Sequence, residues 1–139
     1  MREILFRGKT DKGEWVQGQL LHFKASVGIG EPAIIIESCE WDNSNKWFNL
    51  GKRAKVIPET IGQYTGLTDK NGTKIFEGDI VKYGYTINKV VFEHRNDTAY
   101  FGVAMDDAET WHFCYLTNAA CMEVIGNIHD NPELLGGAE

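Results

Sequence analysis

The stretch YTGLTDKNGTKIFEGDIVKY, Tyr64–Tyr83, determines the fold of this chain because it places two glycine turns between short apolar runs. Within it, Asn71-Gly72 lies where a β-hairpin must reverse direction. Glycine adopts positive φ without a steric penalty, and asparagine tolerates that conformation better than most residues. The stretch therefore predicts two strands joined by a tight turn, with Gly72 at positive φ.

The register of this hairpin has two solutions. A three-residue loop, 70–72, with a glycine bulge places Leu67 opposite Ile75. A two-residue Asn71-Gly72 turn instead places Leu67 opposite Phe76. Both registers pair an apolar residue with an apolar residue, so the sequence leaves both open.

The segment EGDIVKY contains the second turn. Gly78 reverses the chain, and the carboxylate of Asp79 can accept a hydrogen bond from a nearby backbone N–H. Ile80, Val81 and Tyr83 then enter a strand, in the way that core strands of SH3-like barrels often begin. We interpret Asp79 as a brace of this turn; the alternative is a catalytic carboxylate.

The rest of the chain is also typical of β structure, since short runs rich in Ile, Val, Phe, Tyr and Trp alternate with turn residues. We predict a mainly β protein with an N-terminal β-rich segment, 1–58, and a small C-terminal SH3-like β-barrel, 59–139. Pro58 marks the boundary, and the segment Trp41–Lys55 is predicted to be a polar loop. Helical structure is limited to short turns, such as one that begins at Pro132 in the tail.

The charge of the chain is divided unevenly. Its net charge is −6, to which residues 1–59 contribute +1 (nine Lys/Arg against eight Asp/Glu) and residues 60–139 contribute −7 (five against twelve). An acidic surface repels a phosphate backbone, so we do not expect nucleic-acid binding in general. The basic segment Gly51–Lys55 is the one place that favours the alternative of a nucleic-acid-associated module.

The sequence predicts a cytoplasmic protein. No apolar run approaches the ~18–20 residues of a membrane span, and the N-terminus lacks the layout of a signal peptide. Cys39, Cys114 and Cys121 are odd in number and have no metal-binding spacing, so we expect free, mostly buried thiols. Cys114 and Cys121 lie in apolar contexts that favour strands, and we expect both to react slowly with thiol reagents.

No residues stand out as catalytic, metal-binding or cofactor-binding, and we expect no cofactor. Two weak candidates for an enzyme remain. His112 and Cys114 share one face of a predicted strand, and a carboxylate cluster lies at Asp106, Asp107 and Glu109. We interpret the first pair as a histidine beside a core cysteine and the cluster as a solvated loop; the alternative is a metal-dependent hydrolase.

The segment WDNSNKWFNL combines polar residues with large apolar ones. Its Trp41, Trp47, Phe48 and Leu50 are poorly placed for the core of a small barrel, and exposed aromatic residues mark protein contacts more often than ligand sites. We therefore predict a homo-oligomer with contacts through these four residues. The alternative is that the segment folds back and covers its own domain.

Three stretches of this chain resemble the YopX family, which comprises small proteins found mostly in phages and prophages. They are MREILFRGK…GEWVQGQL at Met1–Leu20, VIPETIGQYTGLTDKNGTKIFEGDIV at Val56–Val81, and EVIGNIHDNPELL at Glu123–Leu135. The resemblance implies a C-terminal part like an SH3-type β-barrel and assembly as a homo-oligomer. It implies no established activity and no catalytic residues, so Asn71, Gly72, Gly78 and Asp79 are interpreted as a fold signature. We expect a non-enzymatic, self-associating accessory protein whose protein partner the sequence does not identify.

Overall fold

A computed structural model describes residues 2–24, 30–95, 98–105 and 112–135, with the backbone alone at 93–95, 98, 104–105 and 112–117. The chain divides into two compact units, Met1–Gln63 and Tyr64–Glu139. The described elements are β1 (Phe6–Lys9), β2 (Trp15–His22), β3 (Ala33–Ile36), β4 (Cys39–Asp42), β5 (Trp47–Leu50), β6 (Arg53–Thr68), β7 (Lys74–Phe76), β8 (Asp79–Tyr83), β9 (Thr86–Arg95), β10 (Thr98–Met105), β11 (His112–Tyr115), β12 (Glu123–Asn127) and the 3₁₀ helices η1 (Leu116–Cys121) and η2 (Pro132–Leu134). The protein is therefore mainly β, and η2 confirms the short helical turn predicted at Pro132.

The first unit is built on antiparallel pairs β1–β2, β2–β3 and β3–β6. Its core consists of Val16, Ala33, Ile35 and Val56, all of which are buried. Ala33 and Ile35 lie two residues apart on β3 and so share a face, as the period of a strand requires. This face of β3 is thus buried, and Ile36 on the other face of the strand is buried as well.

Strand β6 changes its partner near Pro58. Its first four residues pair with β3, and the strand then pairs with β1, beginning where Ile57 lies opposite Lys9. The register with β1 shifts beyond this point, and the buried hydroxyl of Thr60 holds the irregularity: it accepts from the N–H of Lys9 at 2.8 Å and donates to the carbonyl of Ile57 at 2.6 Å. Pro58 has no N–H for a ladder, so it is tolerated at such a bulge. Pro58 therefore lies inside a strand, and the two units divide after Gln63.

The prediction of a polar loop over Trp41–Lys55 is wrong. Strands β4 and β5 form a two-stranded antiparallel hairpin there, and β6 begins before Lys55. Backbone hydrogen bonds join this hairpin to the β3–β6 pair: the N–H groups of Glu37 and Ser38 donate to Lys52 O at 2.8 and 3.3 Å, and Gly51 N–H donates to Ser38 O at 2.9 Å. The hairpin is therefore the outer half of one long ribbon, whose inner half belongs to the sheet of the first unit.

The second unit contains a sheet with strand order β11-β10-β9-β8-β12. Its core includes Ile75, Val81, Val90, Val103 and Met122, all of which are buried. Among the residues that the structure describes, these strands do not close into a barrel. The β content of the prediction is confirmed, whereas the SH3-like closure is not.

The hairpin between β6 and β7 resolves the length of the predicted loop. Asp69 N–H donates to Thr73 O at 2.8 Å, and Thr68 pairs with Lys74, so three residues, 70–72, form the loop. Gly72 has a φ of +81°, as the sequence predicts.

The ladder between the same two strands shifts beyond this loop. Tyr64 pairs with Phe76, although Thr68 pairs with Lys74, so β6 carries a bulge in between. The hydroxyl of Thr65 donates to the carbonyl of Ile75 at 2.8 Å inside this bulge. Neither Ile75 nor Phe76 is recorded as the ladder partner of Leu67, which is left exposed.

In the described part of the chain, no helix has both the length and the apolar character that crossing a membrane requires.

Candidate interaction surface

The β4–β5 hairpin, Cys39–Leu50, is named here the aromatic arm. Its register pairs Trp41 with Phe48 and Cys39 with Leu50. Residues that lie directly opposite or two apart share a face of a hairpin, so these four form one apolar face. The other face carries Glu40, Asp42, Trp47 and Asn49.

The four large apolar side chains of the aromatic arm are exposed, the two tryptophans most of all. Trp41 is 60% exposed, Trp47 63%, Phe48 42% and Leu50 36%. The arm extends beyond the β3–β6 ladder as a sheet of only two strands. Large clustered apolar residues on such a hairpin are typical of a contact surface.

The tip of the arm is held by its own hydrogen bonds. Asp42 accepts from the backbone N–H of Ser44 at 2.9 Å and of Asn45 at 3.3 Å, and from the side-chain amide of Asn45 at 2.8 Å. These bonds lower the pKa of the Asp42 carboxyl below its ordinary value. Lys46 completes the turn with a φ of 53°. The arm is thus preorganised, which reduces the entropy that binding must overcome.

The two tryptophans of the arm differ in their hydrogen bonding. The indole N–H of Trp41 donates to the Asn43 side-chain oxygen at 3.1 Å. Trp47 stacks on Phe48, with ring centroids 5.0 Å apart and planes inclined by 20°. No acceptor for the Trp47 indole N–H is recorded among the described residues, so this donor is available to a partner.

The predicted signature turn at Gly78-Asp79 belongs to the second unit. Gly78 has a φ of +91°, and the Asp79 carboxylate accepts the backbone N–H of Phe76 at 2.7 Å while only 1% of the residue is exposed. Asn71 lies on the neighbouring turn, where its backbone N–H donates to Asp69 at 2.9 Å. This geometry is that of backbone bracing.

Asp69 is a buried carboxylate that the sequence analysis missed. It accepts the N–H groups of Asn71 and Thr73 on one oxygen and that of Val124 on the other, each at 2.9 Å. Burial raises the pKa of this carboxyl, but the hydrogen bonds from Val124, Thr73 and Asn71 and the charge of Lys70 outweigh it, so the pKa lies below its ordinary value. An Asp shortly before Asn-Gly is a sequence signal for a turn. The hydrogen bond to Val124 joins residues that are 55 positions apart, and no local sequence signal predicts it.

The structure does not describe the side chains of the two candidate enzyme sites. Asp106, Asp107 and Glu109 lie outside the described residues. His112 and Cys114 lie on β11, but their side chains are outside the described part. Elsewhere in the described chain, no three His, Cys, Asp or Glu side chains come together in a way that suits a metal ion.

Two of the three cysteines contradict the expectation of buried thiols. Cys39 lies on the arm and Cys121 at the end of η1, and both are exposed and free. Cys121 was expected in an apolar strand, but the chain forms a 3₁₀ helix there. Both thiols are therefore open to a reagent in the single chain.

The basic segment Gly51–Lys55 forms the base of the arm and the start of β6. The ammonium of Lys52 lies 3.9 Å from the carboxylate of Glu37, and Lys52, Arg53 and Lys55 are all exposed. Part of the positive charge is therefore balanced within the chain.

Comparison with known proteins identifies a family. The sequence profile described as YopX protein matches residues 5–136. The crystal structure of protein EF1440 from Enterococcus faecalis is 22% identical in sequence, covers 97% of this chain and 99% of its own, and superposes with a TM-score of 0.52; this likeness concerns the fold alone. No curated protein matches the chain. Because the profile match extends over nearly the whole sequence, this chain belongs to the YopX family.

Proposed function

We propose that this chain is a non-enzymatic accessory protein of phage or prophage origin that self-associates through the aromatic arm and acts in the cytoplasm. The observation that carries the proposal is the exposure of Trp41, Trp47 and Phe48 on a preorganised hairpin. Membership of the YopX family supports the phage origin. An SH3-like arrangement of residues 59–139 stays a prediction.

The exposed area is large enough to drive association. If a free tryptophan presents roughly 250 Å² and a phenylalanine roughly 200 Å², the three rings leave about 400 Å² of apolar surface in water. At about 25 cal/mol per Å², covering that area is worth on the order of 10 kcal/mol per chain. Association itself costs several kcal/mol, and the remainder is sufficient for a stable complex.

Sedimentation of the purified chain tests this proposal. The native chain is expected to form an oligomer, and Trp41→Ser/Trp47→Ser is expected to be a folded monomer. Tyr85→Ser is the matched control, since Tyr85 is a fully exposed aromatic residue in the second unit; it should assemble as the native chain does. A monomeric native protein, or a double variant with unchanged stoichiometry, would refute the proposal.

The nucleic-acid alternative depends on Arg53 and Lys55. If these residues contact phosphates, binding of a single-stranded oligonucleotide should fall steeply between low and moderate salt. Binding that is absent at low salt removes the alternative. The genes next to the coding sequence test the proposed phage origin.

A further inference from the structure

A groove lies on the first unit where β6 changes its partner strand. It consists of two adjoining depressions of about 380 and 420 Å³, which share Glu31, Pro58 and Glu59. Leu20 and Ile61 line the first depression and also pack against the core of this unit. The groove therefore offers apolar surface beside two carboxylates, with His22 and Lys55 also in its lining.

The two carboxylates differ in their pairing. Glu31 lies 3.4 Å from the imidazole of His22. Glu59 is exposed, and no hydrogen bond or ion pair of its carboxylate is recorded within the described residues. Glu59 is thus an acceptor at the edge of an apolar surface, and it suits a partner that combines a donor with an apolar group.

The tip of the aromatic arm has the complementary chemistry. Trp47 presents an exposed ring and an indole N–H with no recorded acceptor. Lys46 precedes it in an exposed turn and adds a positive charge. An apolar ring, a neutral donor and a cation on the arm thus match the apolar lining and the Glu59 carboxylate of the groove.

The aromatic arm of a chain does not lie in the groove of the same chain, since no residue of the arm lines either depression in the described structure. Trp47 and Val56 lie nine residues apart along β5 and β6, with Gly51 and Lys52 between the two strands, and this length of chain spans up to about 30 Å at the rise of a β-strand. Val56 lines the groove. The ring that enters the groove must therefore come from another molecule.

We infer that Trp47 of one copy inserts into this groove of a second copy, where Glu59 accepts its indole N–H and faces Lys46. The inference rests on the proposed self-association and adds the surface that receives the arm. Contact between two different surfaces permits either reciprocal exchange within a pair or a head-to-tail ring. It differs from a contact in which two arms pack on each other.

A mixing experiment separates these two arrangements. The arm variant is Trp47→Ser, and the groove variant is Glu31→Lys/Glu59→Lys, in which both changed residues are exposed. Sedimentation should show self-association weakened at least about 30-fold for the arm variant, as for a central aromatic anchor. The groove variant should be weakened at least about tenfold by like charges facing Lys46.

Equal amounts of the two variants should assemble together, because each retains the surface that the other lacks. A fluorescent label on one variant detects the mixed species. Adding Lys46→Glu to the groove variant should also restore self-association. Glu14→Lys/Glu133→Lys, which reverses two exposed carboxylates that do not line the groove, is the charge control and should assemble normally.

The outcomes distinguish the inference from the proposal beneath it. A native chain that stays monomeric refutes both. A native chain that assembles while the groove variant also assembles, or while the two variants fail to complement, refutes the inference alone. If circular dichroism shows that the groove variant does not fold, the single change Glu59→Gln replaces it. This variant should self-associate with several-fold lower affinity. An unchanged affinity would count against the inference.

Discussion

Gly51 packs against Ser38 so closely that a Cβ on Gly51 would lie 2.1 Å from the Ser38 hydroxyl oxygen. That oxygen accepts the backbone N–H of Lys52 at 2.7 Å, and the Ser38 carbonyl accepts the N–H of Gly51 at 2.9 Å. These contacts form the base of the aromatic arm, between its ladder and the β3–β6 ladder. The direction of the arm therefore depends on a residue without a side chain at position 51.

Gly51→Ala is expected to destabilise the first unit by about 1 kcal/mol. The added methyl group forces the Ser38 hydroxyl to rotate, and the hydrogen bond to Lys52 is lost. Urea unfolding monitored by tryptophan fluorescence measures the change.

Two controls isolate this cause. Gly30→Ala should leave stability unchanged or slightly raised, because no atom of the described residues lies within 4 Å of a Cβ built there. In a Ser38→Ala background, which has already lost the hydroxyl, Gly51→Ala should cost less than it does in the native chain. An equal cost in both backgrounds would contradict the proposed contact.

Gly72→Val is expected to cost on the order of 1–2 kcal/mol or more. Its φ of +81° is unfavourable for a β-branched residue, and in the described structure no atom lies within 4 Å of a Cβ built there, so backbone strain is the cause rather than crowding. Gly72→Asn should cost less, since asparagine tolerates this region. Thermal unfolding of the two variants provides the comparison, and equal melting temperatures would argue against strain.

The sequence predicted the hairpin at Tyr64–Tyr83 well because its signals are local. Glycine turns at Gly72 and Gly78 and the apolar runs beside them act within a few residues of each other. The loop length was left open because Leu67 met an apolar partner in either register. The bulge that determines the surroundings of Leu67 is held by the hydrogen bond of the Thr65 hydroxyl. This contact produces no periodic pattern in the sequence.

The aromatic arm was mispredicted because polar residues at 42–46 dominated the interpretation. Trp41, Trp47 and Phe48 favour strands, but that preference depends on context, and here the strands exist as an extension of the β3–β6 ladder. The exposed aromatic residues themselves were visible in the sequence. The groove around Glu59 was not visible in the sequence, because it forms only when β2, β3 and β6 lie side by side.

Asp69→Asn should destabilise the second unit in a pH-dependent way. The folded chain lowers the pKa of this carboxyl, so the charged form stabilises the fold above the ordinary aspartate pKa of about 4. That contribution is lost as the pH falls through the ordinary pKa and then through the lower pKa of the folded state. The free energy of unfolding of the native chain should therefore exceed that of the variant by about 1–3 kcal/mol at neutral pH. The difference should be smaller in acid.

Urea unfolding between pH 7 and pH 3 measures this difference. Asparagine keeps one acceptor oxygen but places an amide near backbone donors, so the N–H of Val124 or those of Asn71 and Thr73 lose their partner. A difference between the two proteins that stays constant over the whole pH range would show that the charge of Asp69 does not contribute.

Labelling of the two exposed cysteines should report on the assembled surface. Cys39 shares the apolar face of the aromatic arm with Trp41 and lies opposite Leu50, whereas Cys121 ends η1 in the second unit. If the arm is covered on assembly, a maleimide should label Cys39 several-fold more slowly at concentrations where the chain is oligomeric than after dilution to the monomer. The rate at Cys121 serves as the internal reference and should stay constant, with peptide mass spectrometry separating the two sites. In Trp41→Ser/Trp47→Ser the Cys39 rate should be fast at every concentration. Sedimentation shows whether the chain is assembled under these conditions. If it is assembled and the labelling rate of Cys39 still does not depend on concentration, the contact lies away from the apolar face. Trp47, on the opposite face, would then be the remaining anchor of the arm.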